Sequence, residues 1–92
     1  MFRLTKSYAP ALAPTLRVNA LAPGSRQAEG THARDDWNSG RREKVIEMTP
    51  HRRIARPKEL AGPALFLATQ EAHYMTGVYM ICDAGYSVFG AR

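Results

Sequence analysis

Cysteine is almost missing from this 92-residue chain: Cys82 stands alone. That excludes an intramolecular disulfide and removes the usual staple of a small fold. Long hydrophobic runs are missing too, since none approaches the roughly 18 residues of a membrane span. The opening residues, MFRLTKSYAP, lack the apolar stretch of a signal peptide. These absences predict a soluble, cytoplasmic chain with no membrane partner. The length allows one small domain at most, and such a chain buries only about 60–65% of its unfolded surface.

Charge is plentiful and uneven. The net charge is +5. Between Gly24 and Lys58 nine basic residues face five acidic ones. A basic middle segment raises the possibility of a nucleic-acid surface. Acids interleave with the bases, however, and no aromatic series for stacking accompanies them. The segment therefore reads as a solvated helix-and-loop face, and no nucleic-acid partner is expected.

Periodicity divides the chain into elements. Leu4, Tyr8 and Leu12 share a face at i, i+4 and i+8, which predicts a helix end over Leu4–Leu12, kinked at Pro10 and broken at Pro14. Leu16, Val18 and Ala20 then alternate in LRVNALAPG, predicting a strand over 16–22 closed by Pro23-Gly24. Residues 25–40 are polar, with one anchoring aromatic, Trp37, and a turn of helix around Arg34–Asn38. Arg41–Met48 suits a short helix bounded by Gly40 and Pro50. RPKELAGPALFLATQEA is the clearest element. Pro57 fits a first helical position, Glu59 favours the helix dipole, and Leu60, Ala64, Leu67 and Ala68 form a stripe over 57–68. Pro63 removes a hydrogen bond to the Glu59 carbonyl and predicts a bend. The unbroken apolar run Val78–Cys82 predicts a strand buried on both faces, as in a parallel sheet. Strand, helical crossover and strand make one βαβ unit. Two parallel strands are not a complete domain, so the pattern asks for neighbours upstream.

LRVNALAPG, followed by a variable stretch and by TPHRRIARPKELAGPALFLATQEAHYMTGVYMICDAGYS, resembles the C-terminal third of a short-chain dehydrogenase/reductase. The strand, the RPKELAG helix start, the LFLAT stripe, the YMTG turn and the final ICDAGYS come in the family's order. The resemblance implies an α/β, incomplete Rossmann-type fold with the last two parallel strands and their connecting helices. It makes 25–51 the lid segment of the substrate loop. It implies hydride transfer between NAD or NADP and a small alcohol or carbonyl in the intact protein, and a homo-oligomer formed through the last helix and strand.

The family's catalytic half is not in these residues. There is no G-x-G-x-x-G turn, and every test of Tyr-x-x-x-Lys fails: Tyr8 meets Leu12, Tyr74 meets Val78, Tyr79 meets Asp83 and Tyr86 meets Gly90. The nucleotide-binding half is expected in sequence preceding Met1, and no catalytic residue is assigned here. Carried over by resemblance are Pro23 and Gly24, where the family's backbone passes the nicotinamide, and Arg26, at a position whose backbone holds the carboxamide. Ala28 stands where the family has a threonine hydroxyl. Asp83 matches the aspartate of the terminal turn, a structural role, and Ala84 replaces that turn's first glycine.

Other candidates take ordinary readings. His32, Asp35 and Asp36 have helix-face spacing but no second motif, so no metal site is expected. His51 and His73 read as loop residues, and Cys82 as a buried, inert thiol. Three functions follow: part of an NAD(P)-dependent oxidoreductase that is inactive alone, a module docking on related subunits, or a basic nucleic-acid-binding domain. The first accounts for the motifs.

Overall fold

The structure, a computed structural model, describes residues 2–24 and 40–89. Six regular elements and one 3-10 turn make up these residues. They are α1 (Phe2–Leu12), β1 (Ala20–Pro23), α2 (Arg42–Glu47), α3 (Lys58–Ala68), the 3-10 turn Gln70–Ala72, β2 (Tyr79–Cys82) and α4 (Tyr86–Phe89). β1 and β2 pair in parallel, with Ala20 opposite Tyr79 and Pro23 opposite Cys82. This is the βαβ arrangement that the alternating pattern predicts.

The helices take opposite faces of the two strands. Phe2 of α1 meets the Tyr79 ring edge-on at 5.1 Å. Leu21, the next residue along β1 from Tyr79's partner, lines a groove with Ala64, Leu67 and Ala68 of α3. Successive strand residues point to opposite faces, so α1 covers one side and α3 the other. α1 turns Thr5 and Ala9 inward, while Leu4, Tyr8 and Leu12 are exposed. The expected apolar stripe thus exists, but it faces away from the strands. Lys6 fixes this orientation by donating from Nζ to the Gly77 carbonyl at 2.6 Å.

The first strand is shorter and later than 16–22. It starts at Ala20 and runs through Pro23. Leu16 still donates to the Leu12 carbonyl at 2.9 Å, prolonging the helix end. Over 17–19 the chain runs beside 75–78, where one backbone bond forms, from Gly77 N–H to the Val18 carbonyl at 2.7 Å, and side chains supply further ones. Val18 N–H donates to Thr76 Oγ1, and Asn19 bridges from Nδ2 to the Met75 carbonyl and from Oδ1 to the Val78 N–H. Ladder pairing resumes where Ala20 N–H donates to the Val78 carbonyl at 2.8 Å.

β2 also departs from expectation. It is half-covered rather than buried on both faces: Met80 and Cys82 are half-buried, while Tyr79 and Ile81 are exposed. With one strand neighbour and a short helix on each side, the described residues do not supply enough cover. Cys82 is accordingly a half-buried free thiol, not a buried one. α3 shows the same deficit, since none of its residues is buried; Leu60, Pro63 and Leu67 are half-buried, whereas Ala64 and Ala68 stay exposed. The helix continues through Pro63. The core consists of Ala9, Ala20, Ile54 and Ala72, and among the described residues no large side chain is fully buried. No helix among them is long and apolar enough to cross a membrane.

Candidate functional site

The carboxyl ends of the two strands carry the candidate site. In open parallel sheets this edge is where ligands bind, because loops leave the strands there with backbone groups unpaired. Ala20 and Gly24 both send their N–H groups toward β2, Gly24 reaching the Cys82 carbonyl at 3.0 Å. Alternation turns the Leu21 N–H and the Leu21 and Pro23 carbonyls to the opposite edge. Pro23 has no N–H to leave unsatisfied, which suits it to end the strand beside a site. Pro23 is exposed and Gly24 half-buried.

Gly24 is glycine for a reason of space. A Cβ at this position would lie 2.7 Å from the Asp83 Cβ and 2.8 Å from its Cα. The end of β1 is therefore pressed against the turn that follows β2. That turn is held by Asp83. Its Oδ1 accepts from Gly85 N–H at 3.0 Å and its Oδ2 from Ser87 N–H at 2.9 Å. These bonds, with Ser87's side chain the largest contribution, hold the carboxyl below the usual carboxylate range. Ala84 and Gly85 take left-handed backbone with φ of 55° and 91°. Ala84 thus occupies a conformation that a glycine adopts without strain.

An open groove of about 400 Å3 runs past these residues. Pro23, Gly24 and Asp83 line it together with Tyr79, Ile81 and Val45 of α2. Of the residues assigned from the sequence, the structure brings Pro23 and Gly24 to this groove. Arg26 lies outside the described residues, as do Ala28, His32, Asp35, Asp36 and Trp37, and most of the expected lid segment. Among the described residues no cluster of three or more His, Cys, Asp or Glu side chains is placed to hold a metal.

Two supporting groups escaped sequence reasoning. Arg17 donates from Nη1 to the Met75 carbonyl at 3.1 Å and from Nη2 to the Leu67 carbonyl at 2.8 Å, tying the approach to β1 to the end of α3. Asn19 does the same for the turn before β2. The available signal was composition: an Arg-x-Asn pair inside an otherwise apolar stretch is poor strand material and marks side chains that serve neighbouring backbone. The start of α3 is held by Glu59, which accepts from both Arg53 guanidinium nitrogens at 2.7 and 2.8 Å and from Arg56 N–H at 2.8 Å. That is the glutamate half of a capping box, with no N-cap side-chain bond to complete it. The Arg53 bond, with the Arg56 amide, lowers the Glu59 carboxyl to about 2.

Known proteins share this arrangement. The family described as enoyl-(acyl carrier protein) reductase matches residues 1–87. The galactitol 2-dehydrogenase (L-tagatose-forming) of Cereibacter sphaeroides is 42% identical over 74 residues, 80% of this chain and 29% of that protein. The L-rhamnose 1-dehydrogenase (NAD(P)(+)) of Azotobacter vinelandii is 36% identical over 86 residues, 92% of this chain and 33% of that protein. A short-chain type dehydrogenase/reductase from Mycobacterium marinum superposes with a TM-score of 0.83 at 36% identity, covering 94% of this chain and 33% of that one. The chain spans about a third of the length of the curated relatives it matches.

Proposed function

Because this chain belongs to the short-chain dehydrogenase/reductase family, we propose that it forms the C-terminal part of an NAD(P)-dependent oxidoreductase acting on a small alcohol or carbonyl compound. Its fold is the last part of a Rossmann-type sheet, β1 and β2 being the sixth and seventh strands. The observation that carries the reading is the strand end at Pro23-Gly24, open on the carboxyl edge and lining the groove. The bound cofactor supplies or accepts the hydride. Pro23 and Gly24 fit its nicotinamide end, since they offer a narrow, side-chain-poor backbone at the place where parallel sheets take ligands. Arg26 is the third residue proposed for that contact, through its backbone.

These residues orient a cofactor and do not move a proton. Neither a Tyr-x-x-x-Lys pair nor a glycine-rich phosphate turn occurs in the 92 residues. We assign general acid/base work and pyrophosphate binding to a further segment, so the chain alone is inactive. The lid role of 25–51 belongs to the same proposal, with α2 as its returning arm. The substrate class follows the relatives in a general sense only, as a small hydroxy or carbonyl compound.

The exposed apolar residues of α3 and β2 favour self-association. Leu65, 66% exposed, stands with Phe66 on α3, and Ile81, 54% exposed, follows Tyr79 on the face of β2 that α3 does not cover. Exposed apolar side chains on both elements suit contact with another subunit. This supports homo-oligomerisation through the last helix and strand, and it also serves the alternative in which the chain docks on related subunits without catalysis.

Reconstitution distinguishes the readings. The purified chain is mixed with the part of galactitol 2-dehydrogenase that precedes the matched region, and NAD(P)-dependent alcohol oxidation is followed. The oxidoreductase reading expects turnover that needs both pieces. A stable, soluble complex without cofactor binding would favour the docking alternative.

A further inference from the structure

The turn after β2 touches more than the end of β1. Gly24 abuts Asp83 from one side. From the other, the chain returning after α2 reaches the same turn: His51 N–H points to the Ala84 carbonyl at 3.4 Å, and the Pro50 ring sits where a Cβ on Gly85 would come within 2.7 Å of it. The stretches on either side of 25–39 therefore meet at one three-residue turn. Each oxygen of the carboxylate inside that turn already accepts a backbone amide, Oδ1 from Gly85 and Oδ2 from Ser87. A carboxylate beside a cofactor groove invites assignment as a base or a ligand. Here its bonds point inward, to the Ser87 side chain and to the Gly85 and Ser87 amides.

We infer that Asp83 is a positioning residue for cofactor binding: by fixing its turn it fixes the Gly24 backbone, and through Gly24 the end of β1 at Pro23, which lines the groove. The inference rests on the proposed cofactor site and adds to it the group that sets its geometry. Substituting Asp83 by alanine keeps the Cβ that meets Gly24 and removes both carboxylate bonds. The turn then loses its internal brace, and the Gly24 amide loses its fixed orientation toward Cys82.

Two measurements test this. In the 92-residue chain, Asp83→Ala should speed amide hydrogen exchange at Gly24 about tenfold while leaving Ala20, bonded to Val78, unchanged. Gly24 exchange as slow as in the wild type overturns the inference, whatever the cofactor does. In the reconstituted enzyme, Asp83→Ala should raise the KM for NAD(P)+ about tenfold with kcat within about twofold. Asp83→Asn, which retains one accepting oxygen, should recover part of that loss. A fall in kcat and in thermal stability with KM unchanged marks a purely structural role and overturns the inference. A wild-type assembly that binds no cofactor rejects the function itself, and the exchange result at Gly24 then decides the inference separately.

Discussion

The strand ends and the helix faces of this molecule are built to different standards. At the carboxyl ends, Gly24, Asp83, Gly85 and Pro50 meet at distances that leave no room for a methyl group. Along α3 and the outer part of β2, apolar side chains stand in solvent, and α3 buries none of its residues. Specific contacts are concentrated where a ligand would be held, and the apolar surface is left for something else to cover. The contrast explains how a chain with so small a core still has a well-defined candidate site. The site depends on close backbone approach and hydrogen bonds, which need few residues, whereas a core needs many.

The sharpest way to break the tight region is Gly85→Ala. It adds a Cβ 2.7 Å from the Pro50 ring at a backbone φ of 91°. Overpacking and left-handed strain together should cost about 3 kcal/mol, read as a fall in the urea midpoint. Gly24→Ala should behave alike, since the Asp83 backbone cannot swing aside as a side-chain tip does. Arg17→Ala comes next. It strips donors from the Met75 and Leu67 carbonyls, and a loss of about 2 kcal/mol is expected in the same assay. Ala84→Gly should go the other way and stabilise by about 1 kcal/mol, because it relieves a φ of 55°.

The loose region should respond differently. Ile81→Lys, at a 54% exposed position, should leave the unfolding midpoint nearly unchanged while shifting the sedimentation profile toward monomer. A persistent oligomer would remove β2 from the proposed interface. The smallest expected effect is at the start of α3. The Glu59 carboxyl is depressed from its ordinary 4.5 to about 2 by Arg53 and the Arg56 amide. A depressed folded-state value gives stability that is complete above the unfolded value and lost as pH falls through the folded one. Acid should therefore loosen the α3 cap between about pH 4.5 and 2, and Glu59→Gln should flatten that part of the pH curve. The pair is exposed, so the effect is small at high salt.

Much of the fold was legible because periodicity and punctuation agree. The LRVNALAPG alternation and the Val78–Cys82 run lead to a parallel pair, and Pro57 with Glu59 marks the start of α3 to within a residue. What was not legible depends on partners across the chain. The alternation of Leu16 and Val18 looks like strand, yet beside the one backbone bond from Gly77 to the Val18 carbonyl the Asn19 and Thr76 side chains supply the bonds there, and the Arg-x-Asn pair was the local sign of it. Which face of α1 turns inward was not legible for a related reason. Leu4, Tyr8 and Leu12 are the larger residues, but Lys6 and Ala9 fit against the Gly77 turn, and fit decides orientation. At the site, Pro23 and Gly24 were readable as a strand-ending pair, whereas the need for glycine at 24 came from Asp83, nearly sixty residues away.

The central claim is that this chain carries one end of a cofactor site and none of the proton-transfer chemistry. Incubating the purified 92-residue chain with NADH or NADPH and a panel of small aldehydes and ketones, and following loss of the reduced cofactor, tests it directly. The account predicts no loss above the protein-free control. Sustained, protein-dependent oxidation of the cofactor by the chain alone would contradict it.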